Sequence, residues 1–251
     1  QAANEVVHAE TYTALIQQYC KSEAERRTIH NAVRTQDHVR RKARWIESYM
    51  DRSRPYPARL VAFACLEGVM FSAAFAIIFY LKSRGRDLPG LYASNEFIAR
   101  DEGLHCIFAC EVYDHLPNSD RAAVDVAPIV GAAVDVEHAF IDASMGDLAL
   151  LGINAEQMKV YVRFVADVLM RNLGEPPLYH AENPFPFMDS ISLQGKTNFF
   201  ERRVTEYVRT SGCHADAASD AAAPETDAPA AAAADDDSGG PLFDFDGTDD
   251  F

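Results

Sequence analysis

From Leu60 to Leu81 the chain reads LVAFACLEGVMFSAAFAIIFYL, an almost unbroken apolar run with one acid, Glu67, set inside it. A bilayer-crossing helix needs about 20 apolar residues, so length alone admits a transmembrane reading. Two features favour the central helix of a bundle instead. Glu67 interrupts the run, leaving an uncharged stretch after it that is too short to span, and no second apolar span of this kind occurs in the sequence. A helix that is apolar all round is then one whose neighbours cover every face. In either environment a carboxylate at this position needs a cation, a proton or a strong hydrogen-bond donor, because burying it bare costs several kcal/mol.

Working outward, the helix that carries Glu67 is expected to cover Arg59–Lys82, and Glu5–Cys20, Leu91–His115, Arg121–Ala143 and Ala155–Leu173 are equally rich in helix formers. Breakers fall between these segments: Arg52 to Pro57, Gly85 with Pro89 and Gly90, Pro117 to Ser119, Gly146, Gly152, and Gly174 to Pro177. Strand-like alternation is nowhere sustained over a comparable length. The pattern predicts an all-α bundle of roughly seven or eight helices.

Of the 251 residues, 38 are Asp or Glu and 23 are Lys or Arg, a formal charge of −15. Eleven of the acids lie between His214 and Phe251, where there is no Lys or Arg, which leaves −4 on the rest. A nearly balanced body with an acidic tail lacks the basic face that a nucleic-acid backbone requires. Five scattered cysteines, Cys20, Cys65, Cys106, Cys110 and Cys213, read as free thiols in a reducing, cytoplasmic compartment rather than as a disulfide framework. The first residues read as helix interior, without a cap or an initiator Met, so residues are expected to precede Gln1. After Cys213 the sequence turns to Ala, Asp, Pro and Gly, too poor in large apolar residues to fold, and is expected to be a disordered tether. It ends in LFDFDGTDDF, Leu242–Phe251, where phenylalanine returns among acids as a solvated tail would not need. Residues 1–210 are therefore assigned to the helical body and 211–251 to the tail.

The chemistry gathers on two Glu-x-x-His units, Glu5/His8 and Glu102/His105, each placing a carboxylate and an imidazole on one helical face. One such unit is common by chance; two of them together with Glu67 approach the di-metal bundle pattern, in which further helices add one carboxylate each. Hard carboxylates with imidazole and no clustered thiolate suit iron, with manganese open, better than structural zinc. Tyr12 lies one turn beyond His8 and can face the same side. Phe71 and Phe75 follow Glu67 on its helical stripe.

The segments NEVVHAETY, LEGVMFSAAFAIIFYLKSRG, SNEFIARDEGLHCIFAC and ENPFPFMDSISLQGKTNFFERRVTEY, with a terminal Phe, resemble the eukaryotic and viral type of class I ribonucleotide reductase small subunit, over about Gln1 to Tyr207. The resemblance implies a ferritin-like helix bundle holding two irons, and reduction of ribonucleotides to deoxyribonucleotides together with a large subunit. It implies Glu5 and Glu102 as bridging ligands, Glu67 as a terminal carboxylate and His8 and His105 as one ligand for each metal. Tyr12 matches the radical tyrosine; Phe71, Phe75 and Ile98 match its apolar shield. Asp101 matches the carboxylate behind a metal-bound histidine, and Tyr207 the relay towards the large subunit. Phe245, Asp250 and Phe251 match the tail motif that docks there, with Gly247 and Thr248 departing from the usual Leu and Asp. The family's early Asp ligand and a still earlier Trp would precede Gln1, and the Ala/Asp tether is longer than the family usually carries. A homodimer without membrane or nucleic-acid contact is implied. A ferritin-like iron oxidase or store, and a metal-incomplete structural subunit, are the alternatives.

Overall fold

Prolines and polar caps decide where the helices begin. The computed structural model describes residues 1–145 and 152–188, all within one compact unit, Gln1–Arg202; the second unit, Arg203–Phe251, lies outside the described residues. Ten α-helices follow in order among the described residues: α1 Ala2–Tyr19, α2 Glu23–His30, α3 Ala32–Thr35, α4 Asp37–Met50, α5 Tyr56–Gly68, α6 Ser72–Ser83, α7 Pro89–Asp114, α8 Asn118–Ala122, α9 Val126–Met145 and α10 Ala155–Asn172. A single 3-10 turn closes the series at Pro186–Met188. Proline stands in the first turn of α5 and α7, where a missing N–H leaves no bond unmade. Capping boxes start α2 (Ser22 with Glu25) and α10 (Asn154 with Gln157), satisfying two end donors reciprocally.

The Glu67 helix is central, as its composition predicts. α5 packs against α4, α7, α9 and α10, and Val61, Ala64 and Cys65 are fully buried along it. Tyr56–Ser83 is long and apolar enough to cross a membrane, but 56% of its most apolar window is buried inside the protein. The expected single helix Arg59–Lys82 is, however, two helices, broken at Val69–Phe71. Two contacts account for the break. Gly68 lies so close to α7 that a Cβ there would stand 2.7 Å from Cys106 Sγ. Past it, both Val69 N (2.9 Å) and Met70 N (3.1 Å) donate to Cys65 O, which unwinds the ladder by one residue, while Met70 O accepts from Lys42 Nζ at 2.6 Å. The helix restarts at Ser72, whose hydroxyl donates to Val69 O at 2.7 Å.

One helix start and one whole segment depart most from expectation. The helix expected from Arg121 begins at Val126, because Pro128 tolerates only a first-turn position; Arg121 belongs to the short α8. Glu23–Met50, which no apolar periodicity marked, forms α2 to α4, and α4 turns Trp45, Ile46 and Tyr49 onto the core. After α10, the 99%-buried Asp167 accepts from Leu178 N and Tyr179 N on Oδ1 and from Ala181 N on Oδ2, each at 2.8 Å, which fixes the following segment to the bundle. With α1 against α7 and α7 against α5, three helices deliver the acids of the site.

Candidate metal centre

Glu5 on α1, Glu67 on α5, and Glu102 and His105 on α7 place one donor atom each within 4.8 Å of one another. His105 Nδ1 is 3.0 Å from Glu102 Oε2, 3.3 Å from Glu5 Oε1 and 3.7 Å from Glu67 Oε2. His8 Nδ1 is 2.9 Å from Glu102 Oε1 and 3.4 Å from Glu5 Oε2. The two Glu-x-x-His units thus face each other across the α1–α7 contact, with the imidazole centroids 6.5 Å apart. Both rings turn Nδ1 to the glutamates and Nε2 to one acid: Asp101 Oδ2 is 3.1 Å from His8 Nε2 and 3.6 Å from His105 Nε2. Asn4 Nδ2 donates to both Asp101 oxygens, at 3.3 and 3.1 Å, and so holds that carboxylate in place. A carboxylate behind a histidine fixes the ring's orientation and tautomer for a ligand on the other nitrogen.

His8, Glu67, Glu102 and His105 are all buried, whereas the Glu5 side chain is 47% exposed. Burial, a hydrogen bond with Glu102, and the charges of Glu102 and Glu5 push the Glu67 carboxyl up to about 9, against a hydrogen bond from Gln1 Nε2 that acts the other way. Without a cation, then, one proton is retained between clustered acids. A dication removes the need for it. His8 Nδ1 makes the same point: buried and 2.9 Å from a Glu102 oxygen, it has no aligned hydrogen-bond partner and points into the carboxylates. Three carboxylates and two imidazoles, with no cysteine among the clustered donor atoms of the described residues, form a set that hard or borderline divalent metals accept, so the residues present fit a metal centre.

Tyr12, one turn past His8, donates from Oη to Asn95 Oδ1 at 3.0 Å. Asn95 is fully buried, and its Nδ2 donates to Leu91 O at 2.8 Å, which turns the amide oxygen towards the phenol. Burial, then the charge of Glu102, raises the Tyr12 hydroxyl to about 12, which keeps the phenol protonated at rest. Phe71 and Phe75 line a cavity of about 380 Å³ together with Glu67, Glu102, Tyr161 and Met188. Its walls do not include Tyr12 or Ile98, although Ile98 is buried on α7; Phe71 remains 41% exposed. Of the expected site residues, Glu5, His8, Glu67, Asp101, Glu102 and His105 come together, with Tyr12 on the next turn of α1. Tyr207, Phe245, Asp250 and Phe251 lie outside the described residues. Sequence reading missed Gln1, Asn4 and Asn95. Only Asn95 carried a signal, standing two turns before Glu102 on the same stripe of α7.

Residues 1–184 match the family model for the ribonucleotide reductase small chain. The chain is 47% identical over 209 residues to the ribonucleoside-diphosphate reductase small chain of vaccinia virus (strain Western Reserve), covering 82% of this chain and 64% of the relative. It is 47% identical over 210 residues to subunit M2 of the zebrafish Danio rerio, covering 83% and 54%. Among solved structures it resembles the Rnr4 homodimer of Saccharomyces cerevisiae, with 29% identity, a TM-score of 0.63, and 74% and 59% of the two chains covered. The dimanganese(II)-NrdF of Streptococcus sanguinis shares the fold at 20% identity and a TM-score of 0.65, over 75% and 67%. The chain thus spans somewhat under two thirds of the length of the curated relatives quoted. With its helices, its paired Glu-x-x-His units and these matches in agreement, it belongs to the ribonucleotide reductase small chain family.

Proposed function

We propose that this chain is the radical-storing small subunit of a class I ribonucleoside-diphosphate reductase. The observation that carries the reading is the convergence of both Glu-x-x-His units and Glu67, with the Tyr12 hydroxyl held one turn beyond His8. Glu5 and Glu102 would be shared between two metal ions, Glu67 would serve one of them as a carboxylate ligand, and His8 and His105 would serve one each. A pair of iron or manganese ions bound there would supply, with an oxygen-derived oxidant, the one-electron chemistry by which Tyr12 gives up its phenolic proton and one electron and becomes a neutral radical. The chain's own residues do the rest. Asp101 and Asn4 orient the imidazoles and Asn95 aims the phenol, while Phe71, Phe75 and Ile98 are the apolar shield that the family resemblance assigns to the radical.

In the same reading Tyr207 passes the oxidising equivalent to the large subunit, where the ribonucleotide is reduced. Residues 211–251 form a leash whose Phe245, Asp250 and Phe251 dock on that subunit, since a segment that orders on binding needs apolar anchors to offset its lost entropy. The body, residues 1–210, works as a homodimer in the cytoplasm. Electron paramagnetic resonance of the full-length protein, loaded with iron in air, tests the proposal. A tyrosyl signal that disappears in Tyr12→Phe while iron content stays native is the expected result. Iron uptake without any tyrosyl signal in the native protein would point to an iron oxidase or store instead.

A further inference from the structure

The charges buried away from the metal centre raise a separate question. Glu137 on α9 is fully buried, and its Oε2 lies 2.5 Å from Lys42 Nζ on α4. Such pairs seldom repay their desolvation, and well-packed apolar residues usually do as well or better. Stability alone therefore does not explain why the bundle keeps one. The Lys42 ammonium has further work: it donates to Met70 O at 2.6 Å and sits 4.1 Å over the Phe140 ring. Met70 lies in the break between α5 and α6, three residues after Glu67, with Val69 and Met70 themselves buried.

The end of α5 is thus gripped from two sides. On one, Gly68 is pressed against Cys106 of α7, one turn past Glu102. On the other, Lys42 takes the Met70 carbonyl that the broken ladder leaves free, and Glu137 holds Lys42. If the break slid by one residue, Glu67 would turn by about 100° around the helix axis and leave the site. We infer that Lys42 and Glu137 are positioning residues for Glu67, anchoring the helix break that aims this carboxylate at the metal centre. The inference rests on the reading of Glu67 as a metal ligand.

The test uses metal-free full-length protein titrated with Mn2+ alone, followed by calorimetry and by electron paramagnetic resonance of the bound ions, beside melting temperatures. Lys42→Met strands the buried Glu137 and lowers the melting point. The double variant Lys42→Met with Glu137→Leu replaces the pair by apolar bulk and returns melting to near the native value. Neither variant restores the donor to Met70 O. Both are expected to lose about tenfold or more in Mn2+ affinity, the usual cost of disturbing a ligand's support, and to shift the spectrum from a coupled pair towards isolated ions. A double variant that melts like the native protein and binds Mn2+ with native affinity and spectrum would overturn the inference. Glu67→Ala serves as the control. Native Mn2+ binding by that variant would instead remove Glu67 from the site, a failure of the underlying reading that the Lys42 variants could not produce.

Discussion

Asp167 on α10 accepts three backbone N–H groups at 2.8 Å, whereas Glu67 on α5 faces Glu102, Glu5 and His105 and accepts from the side-chain amide of Gln1. Both are buried carboxylates in the same bundle. At Asp167 the protein meets the acid's demand from its own backbone, and the acid returns a structural service by fixing the segment after α10. At Glu67 it gathers more acid and leaves the charge to be neutralised from outside. With Glu67 read as proposed, the difference separates a structural carboxylate from a metal ligand more sharply than burial does.

Substitution should expose that difference in opposite currencies. Asp167→Ala leaves three backbone donors without their acceptor and is expected to cost about 3 kcal/mol or more, a fall in melting temperature of roughly 10 °C for a chain of this size. Metal content per folded chain should be unchanged. Glu67→Gln is expected to melt, without metal, at or above the native temperature, because it removes an acid that its neighbours oppose. Its metal binding should collapse. If Glu67→Gln proved as destabilising as Asp167→Ala in metal-free protein, the contrast between the two sites would fail.

Glu137 offers a smaller effect with a definite sign. Burial raises its carboxyl from the ordinary 4.5 to about 7, against the lowering pull of Lys42. The folded chain therefore holds a proton there that the unfolded chain has released. Stability contributed by this group is fully present below about 4.5 and is lost as pH rises to about 7. The stability of the native protein relative to Glu137→Gln should fall across that window and stay flat outside it. A flat difference from pH 4 to 8 would show that the two states bind protons alike at this position.

The parts of this arrangement that are local in sequence were legible in it. Glu5 with His8 and Glu102 with His105 declare themselves by three-residue spacing, and Glu67 by standing alone in apolar surroundings. The break at Val69–Phe71 was hidden, because an apolar run gives no sign that Lys42, from a distant polar segment, will take the Met70 carbonyl. The same distance concealed Lys42 with Glu137, Asn95 with Tyr12 and Asn4 with Asp101. Each pair joins helices far apart in the chain through ordinary polar residues that no periodicity marks. α4 escaped notice because Trp45, Ile46 and Tyr49 are too few among charges to announce a core face.

The central claim is that these carboxylates and histidines hold two metal ions between α1, α5 and α7. Iron bound per chain, measured after loading full-length protein with ferrous ion and removing the excess by gel filtration, tests it most directly when Glu102→Ala is run beside the native protein. Glu102 comes closest to the Nδ1 atoms of both imidazoles, at 2.9 and 3.0 Å, so about two irons per native chain are expected, and fewer than one in Glu102→Ala at a native-like helical content. Equal iron in the two proteins, or none in the native one, would contradict the account.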